Sequence, residues 1–301
     1  RSTQSRSSAA SDVYKRQVPG LGVAPRRAFD VVAAALPFLR TRFATHKAYA
    51  QATVSQVLGP EGRDARELRV TTLASTVFLN RTNRFTPVPL PAPAQWAPVF
   101  GVAAADVDGD GHQDLVLAQN LQATRPDLDR LDAGRGLVLR GDGRGGFTPL
   151  SGQESGLVAW GEQRGLALGD FDADGRPDLL LTQNGAATAL FRNAAARPGL
   201  RVRLAGPPGN PDGVGAVLRL RAGEQSGPAC AVLAGAGWGS QDSATRVLTL
   251  PGAAAPTALY VRWPGGRETV SALPAEARAV VVDTEGRVSV SDAATASAKQ
   301  P

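Results

Sequence analysis

The residues best suited to chemistry are aspartates, set at one spacing in two places. Asp106-Val107-Asp108-Gly109-Asp110-Gly111-His112-Gln113-Asp114 and Asp170-Phe171-Asp172-Ala173-Asp174-Gly175-Arg176-Pro177-Asp178 share the pattern D-x-D-x-D-G-x-x-D. Carboxylates at positions 1, 3, 5 and 9 of a tight loop, with the backbone carbonyl at position 7, supply the hard oxygen ligands that Ca²⁺ takes. The expected ligands of the first loop are Asp106, Asp108, Asp110, Asp114 and the carbonyl of His112. Those of the second are Asp170, Asp172, Asp174, Asp178 and the carbonyl of Arg176. Glycine at position 6 (Gly111, Gly175) permits the turn that points alternate side chains inward. Without an ion, two such charges about 5 Å apart repel by roughly 0.8 kcal/mol in bulk water, and about four times more at an effective dielectric near 20. Ordinary surface turns also use Asp and Gly, but they have no reason to repeat that repulsion at identical spacing. An EF-hand would need Glu at position 12 and a following helix. Position 12 is Leu117 or Leu181, each inside an apolar run that reads as a strand.

The elements around the loops repeat as well. Gly101–Ala105 leads into the first loop and Leu115–Asn120 follows it; 64 residues further on, Gly165–Gly169 and Leu179–Asn184 flank the second. A strand-and-turn unit recurs beside them, as Val77–Asn80 with Phe85, Leu137–Arg140 with Phe147, and Ala189–Asn193. Several short strands per unit at this period predict propeller blades, with the post-loop strand apolar on both faces where blades pack together. Beyond about Leu200 the repeat stops. Six strands are predicted there, over 201–204, 216–220, 231–233, 246–250, 259–263 and 279–282. Arginine alternating with apolar residues, as in Arg201-Val202-Arg203-Leu204, marks a sheet with one wet face.

The expected fold class is all-β, a partial propeller followed by a small sandwich-like domain, with a short helical insertion near the N-terminus. The expected divisions are 1–25 artefactual or disordered, 26–67 a helical insertion, 68–198 propeller blades, 199–290 the C-terminal β domain and 291–301 a disordered tail. In the helical stretch Phe29, Val32 and Leu36 share a face before Pro37, and Thr45 is the expected N-cap of a helix ending at Leu58. Asp12-Val13-Tyr14-Lys15-Arg16-Gln17 resembles the translation of an adapter used in sequencing libraries, so residues 1 to about 17 are expected to be an assembly artefact. The lack of a visible signal peptide then carries no information about compartment.

These motifs carry a family resemblance. The Gly-x-x-x-x-D-x-D-x-D-G-x-x-D-hydrophobic unit resembles the FG-GAP (VCBS) repeat of integrin-α-type propellers. Asp212-Gly213-Val214-Gly215-Ala216, Ala234-Gly235-Ala236-Gly237-Trp238-Gly239-Ser240-Gln241 and Val261-Arg262-Trp263-Pro264-Gly265-Gly266 resemble the ASPIC/UnbV domain. The combination, over about 68–275, is similar to the cartilage acidic protein family and its bacterial members. One departure is Leu248-Thr249-Leu250-Pro251-Gly252, where the family carries FGLG. The resemblance implies a seven-bladed propeller, secretion, structural calcium and no established enzymatic activity. With two complete calcium blades here, it also implies that an N-terminal part of the parent protein lies outside this chain, and that 26–58 is an insertion between blades.

Composition narrows the remaining classes. Lys15, Lys47 and Lys299 leave 30 of the 33 basic residues as arginine, scattered along a chain of 5% aromatic content, which argues against a nucleic-acid interface. Cys230 is the single cysteine and His46 and His112 the two histidines, leaving little for a disulfide, zinc or His-based catalytic site. Cys230 is expected to act as a small buried hydrophobe. No stretch is long enough to span a membrane as an apolar helix. Trp238 and Trp263 are expected in the core of the β domain.

The expected function is a secreted or periplasmic binding or adhesion module for an extracellular protein or glycan, using loops such as 121–136 and 151–163. The alternative is a carbohydrate-active or hydrolytic enzyme built on a propeller scaffold, with Glu154 and Glu162 flanking a sugar near Trp160, against which these two read as solvated loop charges. Asp142–Gly146 is expected to be a hairpin turn and not a phosphate loop.

Overall fold

The computed structural model describes residues 3–6, 12–20, 22–69, 72–122, 130–237, 239–252 and 254–291. They divide into two compact units, the first ending at Ala74 and the second beginning at Ser75. The tail beyond Ser291, Trp238 and most of the loop after Gln122 lie outside the described residues.

In the first unit, strands β1 (Thr3–Arg6), β2 (Asp12–Val18), β3 (Gly22–Pro25) and β4 (Arg66–Arg69) form one sheet in the order β3-β2-β1-β4. Strands thus stand within 1–25, where irregular chain was expected; Val13, Tyr14 and Val18 are strand-favouring residues in β2. Helices α1 (Phe29–Ala35), α2 (Leu39–Arg42), α3 (His46–Ala50) and α4 (Val54–Leu58) follow β3. Phe29, Val32 and Leu36 are buried together with Leu39, Tyr49 and Val57. Thr45 caps α3 by accepting from the Ala48 amide at 3.1 Å. The single helix expected to reach Leu58 is instead two. Thr53 and Gln56 form a reciprocal capping box that starts α4 afresh.

In the second unit, β5 (Thr76–Asn80) and β6 (Phe85–Pro89) make a hairpin. Strands β7 (Val99–Ala105), β8 (Asp114–Gln119), β9 (Leu137–Gly141) and β10 (Phe147–Pro149) make a four-stranded antiparallel meander. After the short helix α5 (Gly152–Ser155), strands β11 (Glu162–Gly169), β12 (Asp178–Asn184) and β13 (Ala189–Phe191) repeat it with three. The small sheets are arranged as in a propeller. Each aspartate loop joins the first two strands of a sheet in the same register, Ala105 facing Asp114 and Gly169 facing Asp178. Ala103, Val116, Val138, Leu166, Leu168 and Leu181 form a core shared by the two sheets. Space at their contact is tight: a Cβ on Gly101 of β7 would lie 2.8 Å from the Arg164 carbonyl of β11. Both faces of β8 are covered, as predicted, but Leu180 of β12 is 40% exposed.

Nine strands complete the unit: β14 (Leu200–Ala205), β15 (Val217–Ala222), β16 (Gln225–Ser226), β17 (Cys230–Ala231), β18 (Arg246–Leu248), β19 (Ala258–Arg262), β20 (Glu268–Ala272), β21 (Ala279–Asp283) and β22 (Val288–Val290). All six predicted strands are among them. One sheet runs β18-β14-β21-β22, with β14 and β21 parallel, and the other β16-β15-β19-β20, with β17 on β15. Val202, Leu204, Leu218, Leu259, Val261 and Val282 pack between the two sheets. Trp263 is buried in this core and donates from Nε1 to Thr269 Oγ1 at 3.1 Å. Although they have their own core, these sheets belong to the same compact unit as the blades.

Candidate metal-binding loops

The first loop folds around its first carboxylate. Asp106 accepts from the amides of Gly109 (2.7 Å), Asp110 (3.1 Å) and Gly111 (2.7 Å), curling the chain about one side chain. Asp108 accepts from the Asp110 amide and Asp110 from the His112 amide, at 3.1 and 2.8 Å. Asp114, wholly buried at the start of β8, accepts from Val107 through Oδ2 and from Gly141 of β9 through Oδ1, both at 2.8 Å. Side-chain oxygens of Asp106, Asp108 and Asp114 converge within 4.8 Å of one another. Ligands each 2.3–2.6 Å from one Ca²⁺ can be at most about 5 Å apart, so this donor set fits the ion. Asp110 stays outside the converging set.

The second loop repeats the backbone plan. Asp170 accepts from Asp174 (3.0 Å) and Gly175 (2.9 Å). Asp178 accepts from Phe171 through Oδ2 and from Asn193, just beyond β13, through Oδ1, both at 2.8 Å. Here Asp170, Asp172 and Asp174 converge, and Asp178 is the one left out. The ninth aspartate of each loop thus has the same partners: the amide of residue 2 and an amide at the third strand of its sheet. It ties loop to sheet whether or not it touches an ion.

The surroundings of the loops differ. Around the second, Arg201 Nε of β14 lies 2.7 Å from Asp170 Oδ2 as a buried ion pair. Arg176 reaches back to Asp174 at 2.8 Å, and Arg192 pairs with Asp172 and, at 3.6 Å, with Asp174. Among the described residues no arginine or lysine forms an ion pair with Asp106, Asp108, Asp110 or Asp114. Burial, resisted by the amides of Gly141 and Val107 and reinforced by Asp108 and Asp106, pushes the Asp114 carboxyl up to about 6. Asp108 is also raised, by burial first and then by the Asp110 charge, while the Asp110 amide and the Arg140 charge pull it down. Asp170 is raised by burial while the Gly175 amide and Arg201 pull it down.

Both loops carry the C-terminal sheets. Thr249 Oγ1 donates to Asp106 Oδ2. Gly111 sits at φ +92° against Pro251, whose nitrogen would lie 2.1 Å from an added Cβ, so packing as well as the turn requires glycine there. The Gly199 amide donates to the Gly175 carbonyl at 2.8 Å. Asp242 accepts from the Leu168 amide at 2.9 Å, and Gln113 donates to the Ala229 carbonyl at 3.0 Å. The segment from Leu248 to Gly252 is therefore the one resting on the first loop.

A buried polar network was also not anticipated. Gln163 of β11 accepts from the Gln119 amide of β8 at 3.0 Å and donates to the Ala159 carbonyl. Asn120 exchanges two hydrogen bonds of 2.9 Å with Gly134. Glu162, 2% exposed, accepts from the Gln122 amide at 2.7 Å and Asn184 at 2.8 Å and pairs with Arg164. It is therefore not the solvated loop charge expected, because hydrogen-bond donors surround it. Glu154 caps α5 with Ser151. The repeated Gln119-Asn120 and Gln183-Asn184 pairs were the available signal for this network. Asp142 accepts from Arg144 (2.7 Å) and Gly146 (2.8 Å), which is the expected hairpin turn. Cys230 is half-buried, with Arg246 Nε 3.3 Å from its sulfur, not the fully buried apolar residue expected.

Fold and loops together define a mostly β, propeller-like protein with acidic clusters able to hold a metal ion. The chain matches no family model and no curated protein. No helix among the described residues is long and apolar enough to cross a membrane.

Proposed function

We propose that this chain is the calcium-stabilised part of a secreted or periplasmic binding protein, with FG-GAP/VCBS-type blades and an ASPIC/UnbV-like C-terminal domain. The observation that carries this reading is the convergence of Asp106, Asp108 and Asp114, with no arginine or lysine ion-paired to them among the described residues. Asp106 and Asp108 would hold the ion from the loop, and Asp114 from the strand. The ion's role is structural, drawing β7, β8 and the C-terminal segment at Thr249 to one point. Loops of extracellular type bind Ca²⁺ at roughly 10⁻⁴ to 10⁻³ M, concentrations met outside a cytosol. The partner is an extracellular protein or glycan. Trp160, 66% exposed where Gln122 donates to its carbonyl at 3.0 Å, offers an aromatic surface for it.

The pH dependence follows from Asp114. Its folded pKa, raised to about 6, lies above the unfolded value, so its contribution to ion-free stability is present at low pH and lost as pH rises through about 6. Calcium binds the carboxylate and reverses that loss. Melting with excess calcium and with chelator is expected to show a small difference at pH 5 and the full difference at pH 7.5. Equal differences at both would remove Asp114 from the site. A glycan array beside a panel of glycosidase substrates tests the binding role. Retention without turnover is expected, and turnover would establish an enzyme instead.

A further inference from the structure

We infer that the two loops are not equivalent ion sites: the first takes Ca²⁺, while the second is closed by arginines, with Arg201 standing where an ion would balance Asp170. The inference rests on the calcium reading of the first loop. Its observations are those of the second. Arg201 and Asp170 are both nearly inaccessible, with side chains 10% and 0% exposed, and their atoms lie 2.7 Å apart. Arg176 and Arg192 complete the neutralisation, meeting Asp174 and Asp172. Three guanidinium groups thus pair with three of the loop's four carboxylates, whereas the group bonded to Asp106 in the first loop is the neutral hydroxyl of Thr249. A divalent ion entering the second loop would have to displace Arg201 and leave a buried guanidinium without its counter-charge, which is strongly unfavourable. Arg201 lies on β14, so the substitution also turns the loop into a latch between blade and C-terminal sheets.

The test is calorimetric titration of the full chain with Ca²⁺ after chelator treatment and desalting. One ion per chain is expected. Asp106→Asn with Asp108→Asn is expected to abolish binding at millimolar calcium. Asp170→Asn with Asp172→Asn should keep one ion with affinity changed less than twofold. Because burying Asn at position 170 can impair folding, Asp172→Asn alone, at a side chain 28% exposed, is the second variant with the same expectation. Two ions per wild-type chain, or a tenfold or greater loss of affinity in either second-loop variant, overturns the inference and leaves the calcium reading standing. No ion at all overturns the calcium reading, and the inequality of the loops with it.

Discussion

Replacing Asp106 and Asp108 together by asparagine is expected to erase the thermal stabilisation that roughly 10 mM calcium, about a hundredfold over a Kd of 10⁻⁴ M, gives the wild-type chain. At a hundredfold excess over Kd, one ion bound only to the folded state adds about 2.7 kcal/mol. For a unit of this size each kcal/mol moves Tm by about 2–4 °C, so the wild type should gain roughly 5–10 °C. The variant should gain none. In chelator it should melt a few degrees below wild type, since Asn at position 106 keeps one oxygen for the Gly109 and Asp110 amides but turns an NH2 toward the Gly111 amide, a loss partly offset by removing repulsion among the carboxylates. Scanning calorimetry of both proteins, with and without chelator, checks this. A calcium shift of equal size in the variant would place the ion elsewhere.

Arg201→Met is expected to cost the second unit about 3–5 kcal/mol, because it leaves the wholly buried Asp170 carboxylate without its cation. The cost arises mainly from the stranded charge, not from lost packing, as methionine fills much of the same volume. Removing the charge too should therefore restore stability, and Arg201→Met with Asp170→Asn is expected to recover more than half of the loss. Urea unfolding in chelator measures both. If the double variant is as unstable as the sum of the singles, the pair contributes by packing alone and the latch does not exist.

Much of this arrangement was legible because it is local. The loop pattern carries its own turn glycine and carboxylates, and the apolar runs on either side read directly as β7, β8, β11 and β12. The six alternating or apolar runs beyond Leu200 each became a strand. What escaped was what those strands meet. Arg201 and Arg203 alternate identically with valine and leucine, yet Arg203 pairs with Asp212 at a side chain 47% exposed, while Arg201 is buried on Asp170. Alternation identifies a polar face but not whether water or another loop covers it. Thr249 on Asp106 was hidden for the same reason: the contact joins residues 143 apart. Glu162 is likewise illegible in its own stretch of sequence, because its donors, Gln122 and Asn184, approach from two different segments of the chain.

The first loop is built to hold an ion among Asp106, Asp108 and Asp114. Crystals grown from millimolar calcium, with diffraction recorded where calcium scatters anomalously, test it most directly. The predicted result is an anomalous peak about 2.3–2.6 Å from oxygens of these three aspartates. A map without anomalous signal at the first loop, with the carboxylates bridged by water or protons, would contradict it.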